Sequence, residues 1–224
     1  MIQGETYITR LSAWAPGLGS PGEWDEWARG KRQMLCSSES PEITFTDPLF
    51  RRRLSQISKM TIQVVHDLAP VQEETKMIFL SFRGELSKQY KINKMQIEEG
   101  AITPAVFSFS VFNAPVALAA MALGLKGGYS AIYPGKNSFR DGLKSAYAAL
   151  HSGEENELIF VYADEEIPPE YASLISDRPP PFAFALLLNR KIGIVPLSPL
   201  NETAETPHDF LKSLLRCGGI HDLF

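Results

Sequence analysis

The sequence predicts a layered α/β domain with a largely parallel sheet, and three observations carry that prediction. Short runs rich in β-branched and aromatic residues alternate with stretches of three- and four-residue apolar spacing along most of the chain. The composition, 44% hydrophobic and 21% charged, is that of a globular protein with a sizeable core. The length, 224 residues, accommodates one such domain or two small ones.

The elements follow in order. Residues 6–13 read as a strand, with Tyr7, Ile8 and Leu11 as its apolar members. A Gly/Pro-rich loop over 14–22 leads into a short helix over 23–29, where Trp24 and Trp27 share one side. Residues 36–48 are polar and contain proline, hence loop. From Phe50 to Leu68 the apolar positions Phe50, Leu54, Ile57, Met60, Val64, Val65 and Leu68 describe one long amphipathic helix, with Asp47 and Pro48 placed to cap and open it and Pro70 to end it.

Residues 76–82 read as a buried strand, and a polar helix follows over 85–99. Pro104 opens an apolar segment that runs through Phe107, Phe109 and Phe112 into a small-residue helix over 116–125, with Asn113 as its cap and Gly124 as its end. Residues 129–133 form a short strand, 134–139 a tight turn, and 139–150 a helix that Gly153 terminates. Residues 158–163 are a strand. Residues 182–188 and 191–197 are two more, close enough to form a hairpin through Asn189 and Arg190. A polar linker over 199–206 precedes a terminal helix over 208–216.

Several function classes are disfavoured. A net charge of −4 argues against a nucleic-acid partner, which calls for a basic surplus or stripe. The first eleven residues have neither a basic nor an apolar block, so no signal peptide is read there. The longest apolar stretch, 114–125, falls short of the about 20 residues that span a bilayer. The two cysteines, Cys36 and Cys217, suggest no disulfide framework, and a reducing, cytoplasmic setting fits.

A search for chemistry returns little. His66, His151, His208 and His221 stand at no metal-ligand spacing and read as surface or satisfied side chains, and neither a metal nor a cofactor is implied. There is no Gly-x-Ser-x-Gly elbow. The stretch from Gly128 to Asn137 lacks the glycine and hydroxyl positions of a phosphate loop. The acidic runs Glu73-Glu74, Glu98-Glu99, Glu154-Glu155 and Asp164-Glu165-Glu166 fall at element ends and read as solubilising charge. Arg51, Arg52 and Arg53 open a helix against its macrodipole, so propensity does not account for them. They are either a solvated face or a docking patch for an acidic partner.

From residue 76 onward a strand, a Phe/Asn segment, a small-residue helix ending in Gly-Leu-Lys-Gly127, a short strand, a tight turn, a helix ending at Gly153 and a strand ending Val161-Tyr-Ala-Asp164 follow one another. This order and spacing resemble the N-terminal half of the β-ketoacyl synthases, members of the thiolase fold. The opening Ala13-Trp-Ala-Pro-Gly17, the Trp24-to-Gly30 stretch, and Arg51-Arg-Arg-Leu-Ser55 with Lys59-Met60 look more closely like the short chain-length factors found with aryl polyene pathways. The resemblance covers about residues 1–190.

The resemblance implies a thiolase-like half-fold with helices layered on a mixed, mostly parallel five-stranded sheet. Residues 1–198 would form the synthase-like domain, and 199–224 a linker and C-terminal helix. It further implies a subunit without catalysis of its own. The family's nucleophilic cysteine sits in the turn before the long helix, and counting back from Gly153 that position falls on Lys136. Lys136 is then either a silenced site or an amine nucleophile. The family's catalytic histidines lie in a second half that residues up to Phe224 do not reach.

The implied partner is a full-length β-ketoacyl synthase in a heterodimer, with an acyl carrier protein met indirectly. In the family the short strand pairs antiparallel across a two-fold, here through Tyr129, Ile132 and Tyr133. The preceding segment lines the partner's tunnel, which gives Phe107, Phe109, Ser110, Val111, Phe112, Pro115 and Leu118 as wall candidates. Each of these is alternatively part of the chain's own core. Arg51 to Arg53 are the candidate carrier-protein contacts. Surface left open by a missing second half leads to an expectation of poor behaviour when the protein is expressed alone. The alternatives are an acyltransferase acting through Lys136, or a stand-alone carrier-protein docking module.

Overall fold

The structure, a computed structural model, describes residues 5–135, 139–153, 155–174, 178–197 and 205–217. Its centre is one sheet of six strands: β1 (Tyr7–Trp14), β2 (Lys76–Leu80), β3 (Tyr129–Ile132), β4 (Glu157–Asp164), β5 (Phe182–Asn189) and β6 (Val195–Pro196), in the order β3-β2-β4-β5-β1-β6. The pair β2–β3 and the pair β2–β4 are parallel, and β5 runs against both β4 and β1. Strands β1 to β4 therefore point one way, and β5 and β6 the other, which makes the sheet mixed, with four of its six strands sharing one direction.

The sheet has six strands rather than five: β6 joins it beside β1 and is not a hairpin partner of β5. Both edges of β5 are already taken, by β4 and β1. The chain turns away at Asn189, whose Oδ1 accepts from the amides of Lys191 and Ile192 at 2.9 and 3.2 Å. It then crosses to the free side of β1, where Ile8 faces Val195.

Helices cover both faces. On one face lie α1 (Pro21–Ala28), α7 (Phe139–Ser152) and α8 (Pro207–Cys217). Their Trp24, Trp27, Leu143, Phe210 and Leu214 pack with Ile78, Phe160, Phe184 and Leu186 of the sheet. Alternation along the strands sends the neighbouring side chains Phe79, Val161, Ala185 and Leu187 to the opposite face. There they meet α3 (Gln56–His66) and α6 (Ala114–Leu123). A third cluster, including Ile43, Leu54, Ile62 and Leu118, closes the far side of α3, so this helix is buried on both sides.

The long amphipathic helix expected over 50–68 is two helices. Asp47 caps α2 (Pro48–Arg51), and Ser55 restarts the chain as α3 by accepting from the amide of Ser58. Two further helices complete the set: α4 (Leu86–Glu99), which buries only Ile92, and α5 (Pro104–Ser108), a turn of helix where the sequence suggested only an apolar segment. Asn113 precedes α6 without capping it through its side chain. It donates instead to the Tyr129 hydroxyl at 3.3 Å. A 3₁₀ turn spans Pro169–Leu174.

Phe139, at the start of α7, is fully buried against the rings of Phe160, Tyr162, Phe184 and Phe210 at centroid distances of 5.2–6.1 Å. Gly142, one turn on, lets α7 approach β2, since a Cβ there would lie 2.8 Å from a methyl of Leu80. Phe139→Ala is expected to cost about 3–5 kcal/mol, the range for emptying an aromatic core site. Urea unfolding should show this as a lower midpoint with an unchanged slope.

Candidate functional site

The short strand expected over 129–133 is present as β3 and is exposed in the single chain. Strand β3 is the terminal strand of the sheet and, among the described residues, pairs only with β2. The amide of Met77 donates to the Gly128 carbonyl and that of Ser81 to the Ile132 carbonyl. By alternation the backbone groups of Tyr129 and Ala131 face outward. Tyr129 is 40% exposed and Tyr133 71% exposed. Exposed Val106, Phe107 and Met121 from α5 and α6 add to the apolar surface that the chain presents.

The structure divides the wall candidates. Ser110, Pro115 and Leu118 are buried within the chain's own core. The Ser110 hydroxyl donates to the Phe107 carbonyl at 2.8 Å, and the Ser110 carbonyl accepts from Gln89 at 2.5 Å. Val111 and Phe109 are half-buried against the third cluster, and the ammonium of Lys88 lies 4.8 Å from the centre of the Phe109 ring. Phe107 is exposed, and Ile132 is half-buried with Ile78 and its neighbours. Phe112 bridges core and edge: its ring meets buried Phe79 at 6.3 Å on one side and exposed Tyr133 at 5.9 Å on the other. Lys136 lies outside the described residues.

Parallel strands β2 and β4 end side by side, and the carboxyl ends of such strands are where open α/β sheets position their sites. Three acids stand there, and two of them correct the reading of residues 164–166 as solubilising charge: Asp164 and Glu165 are each 1% exposed, as is Glu85. Oδ1 of Asp164 accepts from the Ser81 hydroxyl at 2.7 Å and from the amides of Phe82 and Arg83 at 3.1 and 3.0 Å. Oδ2 accepts from the Tyr162 hydroxyl at 2.8 Å and faces the Arg83 guanidinium at 3.4 Å. Burial, and then the Asp164 charge, hold the Tyr162 phenol well above its ordinary pKa.

Glu85 accepts from both Ser55 and Ser58 through Oε1, tying the start of α3 to the end of β2, while burial raises its pKa. Glu165 accepts from the Ser87 amide at 2.6 Å, which caps the first turn of α4 from another element. Burial raises its pKa to about 7 against the opposing effect of that hydrogen bond. Burial likewise lowers the pKa of Lys88 between the two carboxyls. The sequence signal for these acids was their place at the mouth of an apolar central strand.

Beside these acids runs a groove of about 590 Å³. Arg52, Arg53, Lys59, Lys88 and Lys91 line it, opposed by Glu165, Glu166 and Glu170. Arg52 and Arg53 are exposed, whereas Arg51 turns inward to the carbonyls of Glu42 and Ile43. His208 also departs from expectation. It is largely buried against Phe182 and Trp27, its Nε2 has no partner among the described residues, and burial lowers its pKa to about 4. His221 lies outside the described residues. No helix among the described residues is long and apolar enough to cross a membrane.

Residues 24–210 match the family described as β-ketoacyl synthase, N-terminal domain. The chain is similar to a solved structure of a ketosynthase in complex with its chain length factor from Xenorhabdus doucetiae. Identity is 27%, with a TM-score of 0.74, over 96% of this chain and 92% of that one. It is also similar in fold to the ishigamide ketosynthase/chain length factor, at 16% identity and TM-score 0.68, over 91% of this chain and 64% of that one. A type II acyl-carrier protein in complex with its ketosynthase gives 14% identity and TM-score 0.65, over 84% of this chain and 63% of that one. The chain thus spans just under two thirds of the length of these last two. No curated protein matches it in sequence.

Glu165 makes a pH prediction. With its folded pKa raised from 4.5 to about 7, the folded protein keeps a proton that the unfolded chain releases in that window. Stability from this group is therefore lost as pH rises from about 5 to 8. His208, lowered from 6.5 to about 4, acts in the opposite sense, so the comparison is with Glu165→Gln. Relative to that variant, the wild-type protein should lose up to about 3 kcal/mol across the window, at about 1.36 kcal/mol per pKa unit. Urea unfolding at several pH values reads the difference.

Proposed function

The chain belongs to the β-ketoacyl synthase family, and from that membership we propose that it is a non-catalytic chain-length-factor subunit. It pairs with a full-length β-ketoacyl synthase in the cytoplasm and shapes that partner's acyl tunnel in a polyene or polyketide pathway of the aryl polyene kind. The observation that carries this reading is the open β3 edge with its aromatic flank. It occurs in a chain that aligns over nearly its full length with one chain of a ketosynthase–chain length factor complex.

The partner performs the condensation, and this chain supplies wall and support. Tyr129, Ala131 and Tyr133 offer outward backbone groups for an antiparallel strand from the partner, which satisfies donors and acceptors that water alone would otherwise meet. Phe112 stands beside that seam, its ring against Tyr133, and exposed Phe107 is a second wall candidate. Phenyl rings are bulky and have few rotamers, so they fix a depth that an acyl chain cannot pass. By the count back from Gly153 that the resemblance supplies, the position of the family's cysteine falls on Lys136. An amine side chain there has no sulfur with which to form an acyl thioester, which supports a subunit without condensation chemistry of its own. The groove of Arg52, Arg53, Lys59, Lys88 and Lys91 offers cationic charge on an otherwise acidic protein, to which an acidic carrier protein could dock while it serves the partner.

Co-expression with a full-length ketosynthase tests the pairing. The wild-type chain should co-purify in a one-to-one complex. Ala131→Pro should fold with a melting temperature close to wild type, because the amide it removes faces away from β2, where proline is tolerated at a sheet edge. It should nonetheless lose co-purification. A well-behaved wild-type monomer that ignores the ketosynthase, or an acyl adduct on Lys136 with turnover by the isolated chain, would contradict the proposal.

A further inference from the structure

Resting on the tunnel-shaping reading, we propose that position 84 is a specificity-determining position, which sets where Phe112 stands and through it how deep the partner's acyl tunnel runs. Gly84 follows β2 with φ of +57°, a conformation that glycine adopts without strain. A Cβ built there lies 2.6 Å from Cδ2 and 3.2 Å from Cε2 of Phe112. The ring thus occupies the space that any side chain at position 84 would need.

The loop carrying Gly84 is not free to retreat. The Gly84 amide donates to the Ser81 hydroxyl at 2.7 Å, and that hydroxyl donates to buried Asp164. Asp164 also holds the amides of Phe82 and Arg83. A methyl group at position 84 must therefore be accommodated by the ring. Of the ring's two aromatic neighbours, Phe79 is fully buried and cannot yield, whereas Tyr133 is 71% exposed at the open edge. The displacement runs outward, past β3, into the space that the partner's tunnel would occupy. Position 84 acts through Phe112 and touches no substrate itself.

The test compares wild type, Gly84→Ala, Phe112→Leu and the double variant, each co-expressed with the ketosynthase, by co-purification and by mass spectrometry of the products. Gly84→Ala should co-purify and shift the main product shorter by at least one extension unit. Phe112→Leu should shift it longer, and the double variant should return toward the wild-type length, a rescue that a merely destabilised loop would not give. An unchanged product distribution from co-purified Gly84→Ala overturns the inference. If Gly84→Ala fails to fold, Phe112→Leu decides: an unchanged distribution from it also overturns the inference. Failure of the wild-type chain to co-purify overturns the parent reading and this inference with it, whereas intact co-purification with fixed product length defeats the inference alone.

Discussion

A strand at the margin of a sheet carries backbone donors and acceptors that its own sheet leaves unmet, and in this protein that strand is β3. The opposite margin is blunted: β6 is two residues long, which offers almost no template. At β3 nothing comparable is done. Its four residues, Tyr129–Ile132, include no lysine or proline, and Tyr129 and Tyr133 are exposed along it. A partner strand answers both the unmet hydrogen bonds and the exposed apolar surface.

What fixes the geometry beside that edge is a set of buried acids at the carboxyl ends of β2 and β4. Asp164 gathers one hydroxyl and two amides of the 81–83 segment into a single clamp, and Glu85 and Glu165 fasten the first turns of α3 and α4. Hydrogen bonds of this kind are worth more in a low-dielectric interior than at the surface. The consequence is positional. With the loop after β2 held by these bonds, the aromatic series Phe79, Phe112, Tyr133 runs from the core to the edge. On the proposed reading, the part this chain plays lies in the placement of these side chains beside the edge.

Much of this was legible in the sequence because apolar periodicity reports burial directly. The β2, β4 and β5 segments read as strands, α7 read as a helix from its spacing, and the resemblance in the order of elements fixed the family. The failures have physical causes. The break between α2 and α3 was hidden because Leu54 keeps the helical spacing while lying in a turn, and because Ser55 was not read as a second cap. The hairpin through Asn189 was inferred from proximity in sequence, which says nothing about whether both edges of β5 are already occupied. The exposure of β3 could not be read from four residues whose apolar character suits a core and an interface equally. The buried acids were missed because charge in sequence signals solvent unless the strand it terminates is known to be central. Tyr129, Tyr133 and Phe107 came from the resemblance alone, and the structure brings Tyr133 against Phe112. Gly84 had no signal short of coordinates.

The central claim, that β3 is completed by another chain, is tested most directly by amide hydrogen exchange over residues 129–133, with the protein alone and bound to a full-length ketosynthase. The account predicts that the outward amides of Tyr129 and Ala131 exchange fast in the free chain and slow by at least about tenfold in the complex, the signature of newly formed ladder hydrogen bonds. A complex that forms while those amides keep their free rates would contradict it.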